Sequence, residues 1–135
     1  MNQRMLGGVY EEQAAAFLEQ QRYSVLEKNY RCRMGEIDLI AMDGEYLVFV
    51  EVKYRSNGQK GNPVEAVDYR KQRTISKVAA YYLMSHGMSM EQPCRFDVVG
   101  ILGEEIRCFS LQGKIKGFVI SERIRDETGR FQEKE

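Results

Sequence analysis

Asp38, Glu51 and Lys53 follow one another as Asp-x12-Glu-x-Lys within GEIDLIAMDGEYLVFVEVK, the stretch from Gly35 to Lys53. Unpaired charges are costly inside a sheet, so three of them among apolar strand residues point to a metal site, a catalytic site or a buried ion pair. Two converging carboxylates suit a hard cation such as Mg2+, with Mn2+ as a substitute, because such ions take oxygen ligands and keep several waters. A water with its pKa lowered by the cation can attack a phosphodiester, and Lys53 could orient that water or stabilise the developing charge. The backbone carbonyl of Val52, between Glu51 and Lys53, is a further candidate ligand. As a bare ion pair the set balances poorly, since two acids facing one lysine leave charge uncompensated.

That chemistry needs all three side chains on one face of a hairpin. Asp43-Gly44 between two β-rich runs is a strong hairpin signal and predicts a two-residue turn on that dipeptide. With Met42 opposite Glu45, Asp38 falls opposite Phe49 and is a diagonal neighbour of Glu51, roughly 7–8 Å away at the backbone. A three-residue turn would send the two carboxylates to opposite faces. Ile37, Leu39 and Ala41 with Tyr46, Val48, Val50 and Val52 form an apolar face, and Ile40, Leu47 and Phe49 lie on the charged one. Both faces therefore need cover, which predicts a sheet between helices.

A helix is expected from about Gly8 to Arg22, where Tyr10, Ala14, Phe17/Leu18 and Gln21 recur at helical spacing. Glu11 lies at the edge of that stripe, in line with Ala15 and Leu18, whereas Glu12 faces away. Tyr23–Tyr30 reads as a first strand. Tyr54–Pro63, rich in Gly, Asn and Ser, reads as a loop. A second helix is expected from Val64 to about His86, with Val67, Ile75, Val78, Ala79, Tyr82 and Leu83 as its apolar stripe. Lys71 lies on that stripe and either snorkels past the sheet edge or reaches the charged site. Arg95–Leu102 reads as a strand, and Glu105–Leu111 can pair with it through Gly103-Glu104. Gly117–Ile124 fits a strand or a short helix, and residues 126–135 read as a polar, frayed tail after a single domain spanning 1–125.

The formal net charge is zero, from 20 basic and 20 acidic side chains, so no global excess argues for a polyanion. The distribution is uneven: Lys53–Lys77 holds seven Lys/Arg against Glu65 and Asp68. Arg55, Lys60, Arg70, Lys71, Arg73 and Lys77 are accordingly the candidate contacts to nucleic acid. Cys32, Cys94 and Cys108 lack CxxC spacing and argue against a disulfide framework or structural zinc. His86, the single histidine, sits at a helix end before Gly87 and reads as a helix-terminal residue rather than a base. No apolar run has the length of a signal peptide or a membrane span, so a cytoplasmic protein without membrane contact is expected.

GEIDLIA (Gly35–Ala41), FVEVKYR (Phe49–Arg55), YEEQAAAFL (Tyr10–Leu18), GNPVEAV (Gly61–Val67) followed by Lys71, and RFDVV (Arg95–Val99) together resemble the YraN-like family of small bacterial proteins. That family is similar to the restriction-endonuclease-like PD-(D/E)xK superfamily and to Holliday-junction resolvases. The resemblance covers roughly Leu6 to Ile101. It implies an α/β fold with an αβββαβ core, a mixed central sheet flanked by helices. It also implies metal ligation by Asp38, Glu51 and the Val52 carbonyl, Lys53 as catalytic lysine, and Glu11 holding the metal or its water. Ile37 stands where the superfamily name has a proline, which leaves the ligand set intact. The implied activity is a Mg2+-dependent DNA endonuclease, acting on branched or single-stranded DNA, with RNA an open alternative. Resolvase relatives work as homodimers because a junction needs two paired cuts. A nucleic-acid-binding accessory protein in DNA repair or recombination is the rival reading of the same residues.

Overall fold

A computed structural model describes residues 3–55, 68–112, 121–125 and 131–133. Helix α1 (Gln3–Gln20) is followed by strands β1 (Ser24–Cys32), β2 (Gly35–Asp43) and β3 (Tyr46–Arg55). Helix α2 (Tyr69–Ser85) then leads to β4 (Cys94–Leu102), β5 (Glu105–Gln112), β6 (Ser121–Arg125) and β7 (Phe131–Glu133). The first six elements are the expected αβββαβ core. All seven strands form one sheet in sequence order, antiparallel throughout except for the parallel pair β3–β4. A parallel neighbour needs a crossover, and α2 lies on that connection. β5 pairs with β4 across Gly103-Glu104, where Gly103 takes φ +63°. Ser121–Arg125 resolves the helix-or-strand question of that segment as strand, and Phe131–Glu133, inside the stretch expected to fray, pairs with it.

The helices cover opposite faces. Ala14, Ala15 and Leu18 of α1 pack with Leu39, Ala41, Val48, Val50 and Val99. Ile75, Val78, Ala79, Tyr82 and Leu83 of α2 pack with Ile40, Leu47, Phe49, Phe96 and Val98. Alternation along β3 and β4 supplies both cores, which is why β4 is buried along nearly its whole length. Helix α2 starts later than expected because Asp68 caps it, its carboxylate accepting a 2.8 Å hydrogen bond from the Lys71 N–H. Val67 and Lys60 lie outside the described residues.

Two expectations about the hairpin need correction. Asp43 pairs with Tyr46, so the turn residues are Gly44 and Glu45 rather than Asp43 and Gly44. Gly44 adopts φ +60° at the first turn position, where hairpins of type II′ place glycine. The turn still has two residues, so faces are preserved while the register moves by two: Ile40, not Asp38, lies opposite Phe49. Continued one step past Leu39–Val50, the register sets Asp38 directly against Glu51. Secondly, Ile37 does not share a face with Leu39. It joins the α2 core, and its partner Tyr30 sets its ring edge-on to Tyr82 of α2, while Lys28, opposite Leu39, pairs with Glu12 of α1. The switch of faces occurs at Asn29, which stands opposite Asp38 and has φ +53°. Left-handed backbone there breaks the two-residue alternation.

Candidate functional site

The face switch leaves Asp38 where the β2–β3 ladder stops. Its Oδ2 accepts a 2.8 Å hydrogen bond from the Val52 N–H, so a side chain replaces the backbone acceptor that an unbroken ladder would supply. The N–H and C=O of a strand residue point to the same side, so the Val52 carbonyl faces the same gap between β2 and β3. Glu51, one residue earlier, turns to the α2 side and is buried. Lys53 Nζ and Lys71 Nζ each lie 3.3 Å from Glu51, both on Oε1. Lys71 therefore reaches the site rather than snorkelling away, positioned by the Asp68 cap one turn earlier.

Glu11 approaches from α1 on the opposite face, near enough to Asp38 to share a proton with it. Burial is the main cause that holds the Glu11 carboxyl above the usual range. Asp38 is pushed up to about 7, first by burial and then by repulsion from Glu51 and Glu11, against the opposing pull of the Val52 N–H and Lys71. Glu51 thus engages Lys53 and Lys71, Asp38 lies close enough to feel the Glu51 charge, and Glu11 joins the cluster through Asp38. A divalent cation between Asp38 and Glu51 would offset the repulsion that raises the Asp38 carboxyl. Among the described residues no three His, Cys, Asp or Glu side chains are grouped closely enough to cage a metal alone. The donor set fits Mg2+ on those terms: two carboxylates and one backbone carbonyl would hold the ion and leave room for waters.

The remaining candidates divide. Arg70, Arg73 and Lys77 lie exposed on α2 and, with Asp68, Tyr69 and Thr74, line a cleft of about 600 Å3. Arg55 ends β3 and donates from Nη1 to the carbonyl of Tyr54 at 3.0 Å. His86 closes α2 as its C-cap, stacked on Tyr82, in the structural place its position predicts. Cys94 and Cys108 are buried free thiols and Cys32 is half-buried.

One polar cluster has no counterpart in the sequence reading. Arg95, 3% exposed, bonds Asp97 Oδ1 at 2.9 Å, Asp43 Oδ2 at 2.9 Å and the Tyr23 hydroxyl at 2.6 Å. Tyr23 in turn donates to Asp97 Oδ2 at 2.9 Å. An Arg-x-Asp pair inside the apolar run RFDVVGIL is the signal for it, since two charges on one face of a buried strand have to pair. The cluster ties β4 to the start of β1 and to the hairpin turn.

The fold and site define an α/β protein in which two strands and two helices gather acids and lysines at the split between those strands. A family model described as "Uncharacterised protein family UPF0102" matches residues 10–101. A UPF0102 protein of Lachnoclostridium phytofermentans is 52% identical over 107 residues, 79% of this chain and 91% of that one. Those of Moorella thermoacetica and Caldanaerobacter subterraneus are 48% and 45% identical over 101 residues, 75% of this chain and 83% and 82% of theirs. The chain belongs to the UPF0102 family. No helix among the described residues is long and apolar enough to cross a membrane.

Proposed function

We propose that the chain is a metal-dependent endonuclease hydrolysing phosphodiester bonds in DNA. The observation that carries this reading is the convergence of Asp38, Glu51 and Lys53 at the open end of the β2–β3 ladder, with the Val52 carbonyl turned into the same gap. Bound there, Mg2+ supplies charge neutralisation for a phosphate and a water of lowered pKa. Asp38 and Glu51 hold the cation, and the Val52 N–H fixes the Asp38 carboxylate in the orientation that ligation needs. Lys53 is tethered through Glu51 on the same face, placed to align the attacking water and to offset charge developing on the phosphate oxygens. Lys71 offsets the charge of Glu51 from the helix side. Glu11 would stand where it could hold a water of the cation through its contact with Asp38. Arg70, Arg73 and Lys77 offer phosphate contacts along α2.

A structural ion-pair reading is disfavoured, because Lys53 and Lys71 both engage Glu51, while burial and the neighbouring acids push Asp38 up to about 7. The accessory-protein reading keeps the same residues and is separated by turnover. Wild type, Asp38→Ala and Glu51→Ala are titrated with Mg2+ or Mn2+ while cleavage of linear duplex, single-stranded and four-way-junction DNA is followed. Metal-dependent cleavage by wild type, lost in both variants, is the expected result. Salt-sensitive binding of DNA without cleavage of any substrate sinks the nuclease reading and leaves the accessory one.

A further inference from the structure

Four of the chain's seven methionines, Met34, Met84, Met88 and Met90, line one groove of about 800 Å3. It lies between the β1–β2 turn, the outer face of α2 and the segment after that helix. Met84 is 68% exposed and Met90 52%, so these two are not core that happens to reach the surface, while Met88 packs partly against the α2 core. Thioether side chains on open surface give an adaptable apolar lining suited to varied partner side chains. The rim is basic. Arg33 lies over the Tyr81 ring, 6.0 Å from its centroid, and Lys77 stands one helical turn before Tyr81. Neither cation has an acidic partner among the described residues, although the chain carries as many acids as bases.

An apolar slot between two cations that have no acidic partner among the described residues is complementary to an apolar segment flanked by carboxylates. We infer that this groove docks a short acidic peptide of a partner protein, with two or three apolar side chains seated on the methionines. Its volume suits a few side chains, whereas a standard protein interface buries about 800 Å2 per partner. A nucleic-acid strand fits poorly, because the lining offers phosphates few donors. Met84 lies 13 residues after Lys71 on the same helix, roughly 20 Å along the axis. A docked partner therefore leaves the Asp38–Glu51 cluster open, although Lys77 lines both this groove and the cleft of Arg70 and Arg73.

The test is selection of random dodecapeptides, displayed on phage, against the full chain, followed by fluorescence anisotropy with the recovered peptides. Recovered sequences should carry Asp or Glu around Leu, Met, Phe or Trp. Met84→Glu should weaken their binding about tenfold or more. Met90→Glu provides a second variant should the first fail to fold, with circular dichroism melting as the control. Joint Arg33→Glu and Lys77→Glu substitution should turn the selected peptides from acidic to basic, which a merely sticky surface would not do. The inference is overturned by an absence of enrichment, or by binding indifferent to both methionine variants. It is equally overturned if sedimentation finds a wild-type dimer that Met84→Glu dissociates, since a second copy is then the occupant.

Discussion

Asp38 keeps its proton to about pH 7 because burial and two neighbouring acids oppose its ionisation. Its ordinary value is 3.8, so between about 4 and 7 the folded chain holds a proton that the unfolded chain has released. In metal-free buffer the stability contributed by this group is full below the lower value and is lost as pH rises through the upper one. Asp38→Asn should flatten that fall and raise stability above pH 7 by about 1–3 kcal/mol, read by urea unfolding in EDTA at acid and alkaline pH. Magnesium should remove the same penalty in wild type and leave the Asn variant unchanged. Lys53 and Lys71 touch the same oxygen of Glu51 but stand on different elements. Lys53→Met should lower kcat for DNA cleavage about 100- to 1000-fold with little change in KM. An equal loss in DNA binding for Lys53→Met would reduce its role to holding the polymer.

At the scale of elements, the site depends on a local break of strand rules. Asn29 takes φ +53°, and the strands on either side of the Asn29–Asp38 pair present alternate residues to opposite helices. Asn29→Gly should be tolerated, whereas Asn29→Val should cost about 1–2 kcal/mol in urea unfolding and weaken divalent-cation binding together with it. Unchanged cation affinity in a folded Val variant would separate the break from the site. This is also where sequence reading reaches its limit. The hairpin, both helices and the nearness of Asp38 to Glu51 follow from periodicity and an even-length turn. The register misses by two because Asp43-Gly44 serves equally as two turn residues or as a last strand residue and a first turn residue. The face switch is hidden because no pattern of apolar residues encodes one left-handed asparagine. Lys71 is decided by the Asp68 cap, which fixes where the helix begins and hence which way its first turn points.

On the whole-molecule scale, one polar cluster and two apolar cores hold the sheet that carries the site. Asp97 is fully buried and shares Arg95 with Asp43 at the hairpin turn. Asp97→Ala leaves the Arg95 guanidinium buried with its main partner gone, and should cost about 3–5 kcal/mol by denaturant titration. A loss under about 1 kcal/mol would mean that Arg95 finds other compensation. Because this cluster sits on the α1 side of β4, its loss should lower stability without changing the order of metal-ion preference at the site. The central claim concerns the other end of the hairpin, where Asp38, Glu51 and the Val52 carbonyl are assigned one divalent cation. Calorimetric titration of Mn2+ into wild type, Asp38→Asn and Glu51→Gln tests it without reference to any substrate. One saturable site in wild type, lost or weakened at least about tenfold in each variant, is the predicted result. Wild-type affinity retained in both variants would contradict the claim.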